Sequence, residues 1–225
     1  MEQKTPLNRY SKRVKQQLSK KFHDKELIAF DLYWTCIQHP KLILNDTGKT
    51  IIKDLRTILQ EQPIELNEIK AAYHSLYSDS ELEEFQQQVK NNIQESSTYP
   101  DFLWTIKYLK SKWYTTAVIS NLSKDYEEPL TTLIPEGSFD YNILSFNVWA
   151  MKPHPQIFEE LKRQSWIDYE KMVMIGDSMQ SDVEWSKNVW IEPIYLDRKS
   201  KSPIKYINKK HLIQISTLDA LKDIF

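Results

Sequence analysis

A chain of 225 residues, 40% hydrophobic and 27% charged, can bury one sizeable core with a smaller insert and is not composed like a disordered segment. A net charge of −1 argues against a nucleic-acid partner, and no apolar run reaches the roughly 20 residues of a membrane span, so no membrane partner is expected. The one cysteine, Cys36, excludes a disulfide framework, and no apolar run follows the N-terminal charges as in a signal peptide, which makes the cytoplasm the expected address.

Residues 1–25 carry eight Lys/Arg against Glu2 and Asp24, with Tyr10, Val14, Leu18 and Phe22 four residues apart. That spacing predicts a basic amphipathic N-terminal helix laying its apolar stripe on the main domain. Leu-Ile-Ala-Phe-Asp-Leu at 27–32 reads as a buried parallel strand delivering a carboxylate to its C-terminal edge. The interval 37–99 shows no convincing strand. It has helical spacing in Ile51–Leu55–Leu59 and in Ile69–Tyr73–Leu76, and it is too long for a loop, so a helical subdomain is predicted there. Beyond it, apolar runs at Thr116–Ser120, Asn142–Phe146, Met172–Ile175, Ile191–Leu196 and Leu212–Ile215 alternate with helical stretches near 101–111, 123–133, 155–165, 180–188 and 217–224. Alternating strand and helix predict an α/β core, 26–36 with 100–225, built on a doubly wound parallel sheet.

Open α/β sheets bind ligands beyond the carboxyl ends of their strands. The polar residues at those ends are Asp31-Leu32-Tyr33-Trp34-Thr35, Ser120-Asn121, Lys152-Pro153 and Gly176-Asp177-Ser178, followed by Ser181-Asp182. These four segments, in this order, resemble the four sequence motifs of the haloacid dehalogenase-like (HAD) superfamily. The likeness covers about residues 26–197, and the insert is similar to the helical cap that many members carry after the first motif.

The resemblance implies a Rossmannoid core and a magnesium-dependent hydrolase, a phosphatase acting on a small phosphorylated metabolite through an aspartyl-phosphate on Asp31. A carboxylate attacking phosphorus needs the substrate's charge neutralised, and Mg2+ does this with hard oxygen ligands. By the family pattern those ligands are Asp31, the backbone carbonyl of Tyr33 and Asp177, with Asp182 supporting the metal or its waters. Ser120 and the backbone N–H groups after it, at Asn121, would bind a phosphoryl oxygen. Lys152 would tether nucleophile and phosphoryl group, and Thr35 would orient the nucleophile loop. Cys36 reads as a small buried hydrophobe and His154 as a loop histidine.

Two departures stand out. HAD phosphatases usually carry a second Asp two residues after the nucleophile, which protonates the leaving oxygen. Here that residue is Tyr33, a poor acid-base group at neutral pH. Tyrosine in that slot resembles the 2-haloacid dehalogenases, which work without metal and lack the Gly-Asp pair present here as Gly176-Asp177. A dehalogenase-like hydrolase, or a catalytically weak binding or regulatory protein, are the alternatives, although Asp31 and Lys152 are both retained.

The second departure is a composition of 3 glycines and 7 tryptophans, where ordinary usage gives about 16 glycines. Trp34 occupies a slot that is small in the family, Trp149 precedes Lys152 where glycine is common, and Trp185 follows Asp182 where a small residue packs. Trp113, Trp166 and Trp190 each fall between a helix and a strand, where a left-handed glycine cap belongs. The pattern predicts that these positions are glycine in the organism, through a code in which UGA means glycine.

Overall fold

The computed structural model describes residues 18, 20–39, 44–63, 65, 68, 77–207 and 211–225. Strand β1 (Leu27–Phe30) is buried at all four positions and leads through the loop of residues 31–36 into the two-residue strand β2 (Ile37–Gln38). Helices α1 (Asp46–Glu61) and α2 (Asp79–Gln94) follow, and β3 (Ser97–Thr98) returns antiparallel beside β2. The chain then alternates: α3 (Phe102–Ser111), β4 (Thr115–Ser120), a 3-10 turn at Lys124–Glu127 with α4 (Glu128–Thr132), β5 (Tyr141–Leu144), α5 (Ser145–Val148), α6 (Pro155–Ser165) and β6 (Met172–Gly176). Six residues of π-helix, Met179–Glu184, run into α7 (Trp185–Asn188), and β7 (Glu192–Leu196), β8 (Ile204–Ile207) and β9 (Leu212–Ile215) complete the sheet.

The sheet order is β5-β4-β1-β6-β7-β9-β8, parallel throughout except for β8. β1 is central, pairing with β4 on one side and β6 on the other, so chain order reverses about it and a crevice opens at its carboxyl end. Alternate side chains leave opposite faces of each strand. Ile28, Phe30, Val118, Val173 and Ile175 enter one core with Phe102, Ile106 and Leu109 of α3. Leu27, Ala29, Ala117, Ile119, Met172 and Met174 enter the other with Ile157, Phe158 and Leu161 of α6. Burying a large apolar side chain is worth about 1.5–3 kcal/mol, and the two central strands β1 and β6 contain no polar side chain.

The insert has its own small core, with Ile51 and Leu55 of α1 against Leu82, Phe85, Val89 and Ile93 of α2. Asn45 caps α1 through Gly48 N, and Ser78 with Glu81 forms a capping box on α2. Of the expected N-terminal stripe, Leu18 and Phe22 are buried and Phe22 stacks edge-on against Phe225; Tyr10 and Val14 lie outside the described residues, as do Ile69, Tyr73 and Leu76.

Several local expectations change. The predicted strand Asn142–Phe146 ends at Leu144, because the Ser145 hydroxyl accepts from Leu122 N and donates to Leu122 O, turning the chain into α5. The helices expected near 123–133, 180–188 and 217–224 are partly 3-10 or π in winding. The insert does contain strand residues, at its two roots, and β8 was not foreseen: its two outward residues are polar or half-apolar, as suits an edge. Trp34, Trp113, Trp149, Trp166 and Trp190 all have left-handed backbone, φ 58–68°; His211, at 46°, is the other described non-glycine residue with positive φ.

Candidate active site

Four strand-end segments meet at the carboxyl edge of β1. Asp31, one residue past β1, is anchored through its N–H to the Ile175 carbonyl at 2.8 Å. Lys152, 4% exposed, places Nζ 2.6 Å from Asp31 Oδ1 and 2.7 Å from Asp182 Oδ1. Ser120, at the end of β4, points its hydroxyl at Asp31 Oδ1 from 3.4 Å. Asp182 reaches back from the π-helix, accepting from Ser178 N at 2.9 Å. It fits only because residue 176 is glycine: a Cβ there would stand 2.2 Å from Asp182 Oδ2.

Carboxylate oxygens of Asp31, Asp177 and Asp182 lie within 4.8 Å of one another. Burial first, against the pull of Lys152 and with the repulsion of Asp182 and Asp177, raises the Asp31 carboxyl to about 7. Asp177 is raised to about 6, first by burial and then by Asp182. Burial opposes the charge on Lys152, but the attraction of Asp182 and Asp31 outweighs it and raises the ammonium. Among the described residues Lys152 alone forms ion pairs with this cluster, and no cation is in ion-pair contact with Asp177. Three carboxylates against one ammonium is the donor chemistry that suits a hard divalent cation.

The remaining sequence candidates take distinct positions. Asn121 spends its side-chain amide on the Lys152 backbone, accepting from Lys152 N at 2.5 Å and donating to Lys152 O at 2.7 Å, so the amide holds the lysine in register. The Tyr33 hydroxyl donates to the Tyr126 carbonyl at 3.0 Å, and burial raises its pKa strongly. The Thr35 hydroxyl is buried and without a hydrogen-bond partner among the described residues, so the structure does not show it bonded to Asp31. Cys36 is fully buried with its thiol pushed up by burial, and His154 caps α6 by accepting from Gln156 N.

Two residues escaped the sequence reading. Arg198, after β7, donates Nη2 to the Thr35 carbonyl at 2.6 Å and Nε to the Trp34 carbonyl at 3.3 Å, and its guanidinium stacks 3.5 Å from the centre of the Tyr99 ring. Asp101 holds that guanidinium at 3.0 Å and also accepts from Leu218 N. A lone Arg past a strand end carried no signal, because its partners are two backbone carbonyls and side chains about 100 residues away in sequence.

The haloacid dehalogenase-like hydrolase family matches residues 41–195. The chain belongs to that family. The matched span holds Ser120, Lys152, Asp177 and Asp182, while Asp31 lies just before it. Among its relatives are two archaeal proteins named glyceraldehyde 3-phosphate phosphatase. The Pyrococcus furiosus protein is 29% identical over 93 residues, 40% of this chain and 38% of that one. The Methanothermobacter thermautotrophicus protein is 27% identical over 127 residues, 56% of each. The chain thus spans about half the length, or less, of these curated relatives. A Bacteroides thetaiotaomicron HAD family enzyme, crystallised in complex with magnesium and inorganic phosphate, matches with a TM-score of 0.60 at 17% identity, over 79% of this chain and 96% of that one; the two share a fold. No helix among the described residues is long and apolar enough to cross a membrane.

Proposed function

We propose that this HAD hydrolase is a Mg2+-dependent phosphatase of small phosphorylated metabolites, with Asp31 as nucleophile and the insert of 37–99 as its cap. The observation that carries this reading is the three-carboxylate cluster with Lys152 bonded to both Asp31 and Asp182. Asp31, Asp177 and the Tyr33 carbonyl would hold the ion, with Asp182 behind them. When bound, the ion neutralises phosphoryl charge and keeps the acids ionised.

Lys152 on Oδ1 fixes the Asp31 carboxylate and leaves Oδ2 for attack on phosphorus. A new Oδ–P bond forms as the P–O bond to the leaving group breaks, giving an aspartyl-phosphate that water then hydrolyses. Lys152, Ser120 and the Asn121 N–H would take the phosphoryl oxygens. The leaving group faces a cavity of 690 Å³ lined by Tyr33, His39, Lys53, Arg56, Phe85 and Tyr126.

Tyr33 stands where the family's phosphatases have their acid, and its proton is committed to the Tyr126 carbonyl. Leaving groups that depart without a proton, such as acyl or aryl phosphates, should therefore outpace alkyl phosphates by about 10²–10⁴-fold. The test is a screen of triose phosphates, other phosphomonoesters, acyl phosphates and 2-haloacids, with and without Mg2+, alongside Asp31→Asn. Phosphate release that needs both Mg2+ and Asp31, and is inhibited by beryllofluoride, supports the reading. Halide release undiminished in EDTA would replace it with dehalogenation.

A further inference from the structure

Five of the seven tryptophans share a backbone conformation that side chains avoid. Trp34, Trp113, Trp149, Trp166 and Trp190 have φ of 63, 66, 60, 58 and 68°. For an L-residue this places Cβ against the following carbonyl, and glycine alone escapes the penalty. His211, which shares the region, is of a type enriched there; tryptophan is not.

Four of the five close a helix: Trp149 and Trp166 one residue past its end, Trp113 and Trp190 two. Trp113 N donates to Lys110 O and Tyr114 N to Leu109 O, while Trp190 N donates to Lys187 O and Ile191 N to Ser186 O. Both are Schellman closures, whose central residue is ordinarily glycine. Trp166 ends α6 with the simpler single bond from its N–H to Lys162 O, and Trp149 ends α5 on Ser145 O. The indoles gain nothing in exchange: Trp113 is 94% and Trp166 91% exposed. Four helix ends have thus placed a large apolar side chain in water on a strained backbone. A packing or binding role would not select the left-handed position each time; a need for no side chain would.

We propose that the tryptophans of this chain stand at glycine positions: in the organism their shared codon is translated as glycine, giving a protein with ten glycines and no tryptophan. Trp104, on the exposed face of α3, and Trp185, with helical backbone in α7, belong to the set because codon reading is blind to place in the fold. At position 34 the indole stands against His39, ring centres 4.8 Å apart, and His39 lines the cavity with Tyr33. Glycine keeps the left-handed turn and the carbonyl that Arg198 holds, and it removes the indole from beside His39.

The test has two arms, neither depending on the proposed chemistry. The protein purified from its source organism should show the intact mass of seven glycines and no tryptophan fluorescence, its seven codons all being UGA. A mass with seven tryptophans, or UGG codons, overturns the proposal. In recombinant protein, Trp113→Gly, Trp166→Gly and Trp190→Gly combined should raise the melting temperature on the order of 10 °C. Trp104→Gly, in regular helix, should lower it by a few degrees. A triple variant that melts lower than the tryptophan form would also refute the idea.

Discussion

The carboxyl edge of the sheet and the helical insert are held together in opposite ways. At the sheet edge, charged groups are buried against one another: Lys152 is shared by Asp31 and Asp182 with almost no water around it. In the insert, Ile51, Leu55 and Phe85 make a small apolar core, while Lys53 and Arg56 stay exposed on the cavity side. One region gives up stability to fix charge in place; the other is stable on ordinary packing and leaves its polar face free to vary. On the proposed function, chemistry and specificity fall to regions whose mutational tolerance differs.

The hardest blow to that contrast is Lys152→Met. It strands two buried carboxylates, so metal-free stability in urea should fall by about 3 kcal/mol and turnover by about 10³-fold. A variant that folds normally and keeps its activity would show that the edge is not held by charge. Asp177→Asn separates the two losses. It removes a charge that forms no ion pair among the described residues, so metal-free stability should hold within about 1 kcal/mol while Mg2+-dependent turnover drops by about 10²-fold or more; unchanged Mg2+ affinity by calorimetry would count against Asp177 as a ligand.

Arg198→Met should loosen the loop that carries positions 34 and 35, lowering kcat about tenfold with KM little changed, because misplacing a nucleophile costs rate before affinity. A shift confined to KM would put Arg198 in substrate binding instead. The smallest effect belongs to the insert. Arg56→Met should raise KM several-fold for substrates with a second negative charge and leave stability within about 0.5 kcal/mol. Equal KM changes for substrates with and without that charge would remove Arg56 from recognition.

Legibility in the sequence follows the same division. Buried parallel strands must be continuously apolar and end abruptly, so β1, β4 and β6 and the polar residues after them can be read directly, Asp31, Ser120 and Asp177 included. The misplaced end of β5 has a physical cause: Leu144 and Phe146 are both buried, and the chain turns on a serine hydroxyl that hydropathy does not register. Arg198 and Asp101 could not be found because their value lies in backbone carbonyls and N–H groups brought together by the fold. In the insert, the helical spacing of Ile51 and Leu55 was visible and meets a helix, that of Ile69, Tyr73 and Leu76 lies outside the described residues, and β2 and β3 are too short to leave a periodic signal.

That two-residue ribbon sets how the insert can move. Ile37 pairs with Thr98 and Gln38 with Ser97, and Tyr99 N donates to Cys36 O at 2.9 Å, so departing and returning chain are stapled to each other at one stalk. Away from that stalk the insert rests on the core where α1 packs on α5 and where the Tyr126 hydroxyl donates to Asn92 Oδ1 at 3.1 Å, so a rotation about the stalk would have to break these contacts. With α1 about 24 Å long, a twist of about 10° at the root sweeps its far end by about 4 Å, a lever working on the mouth of the cavity. Arg198 grips Thr35 and stacks on Tyr99, both at the staple's inner end, so the fulcrum of that lever and the loop bearing Asp31 are mechanically one piece.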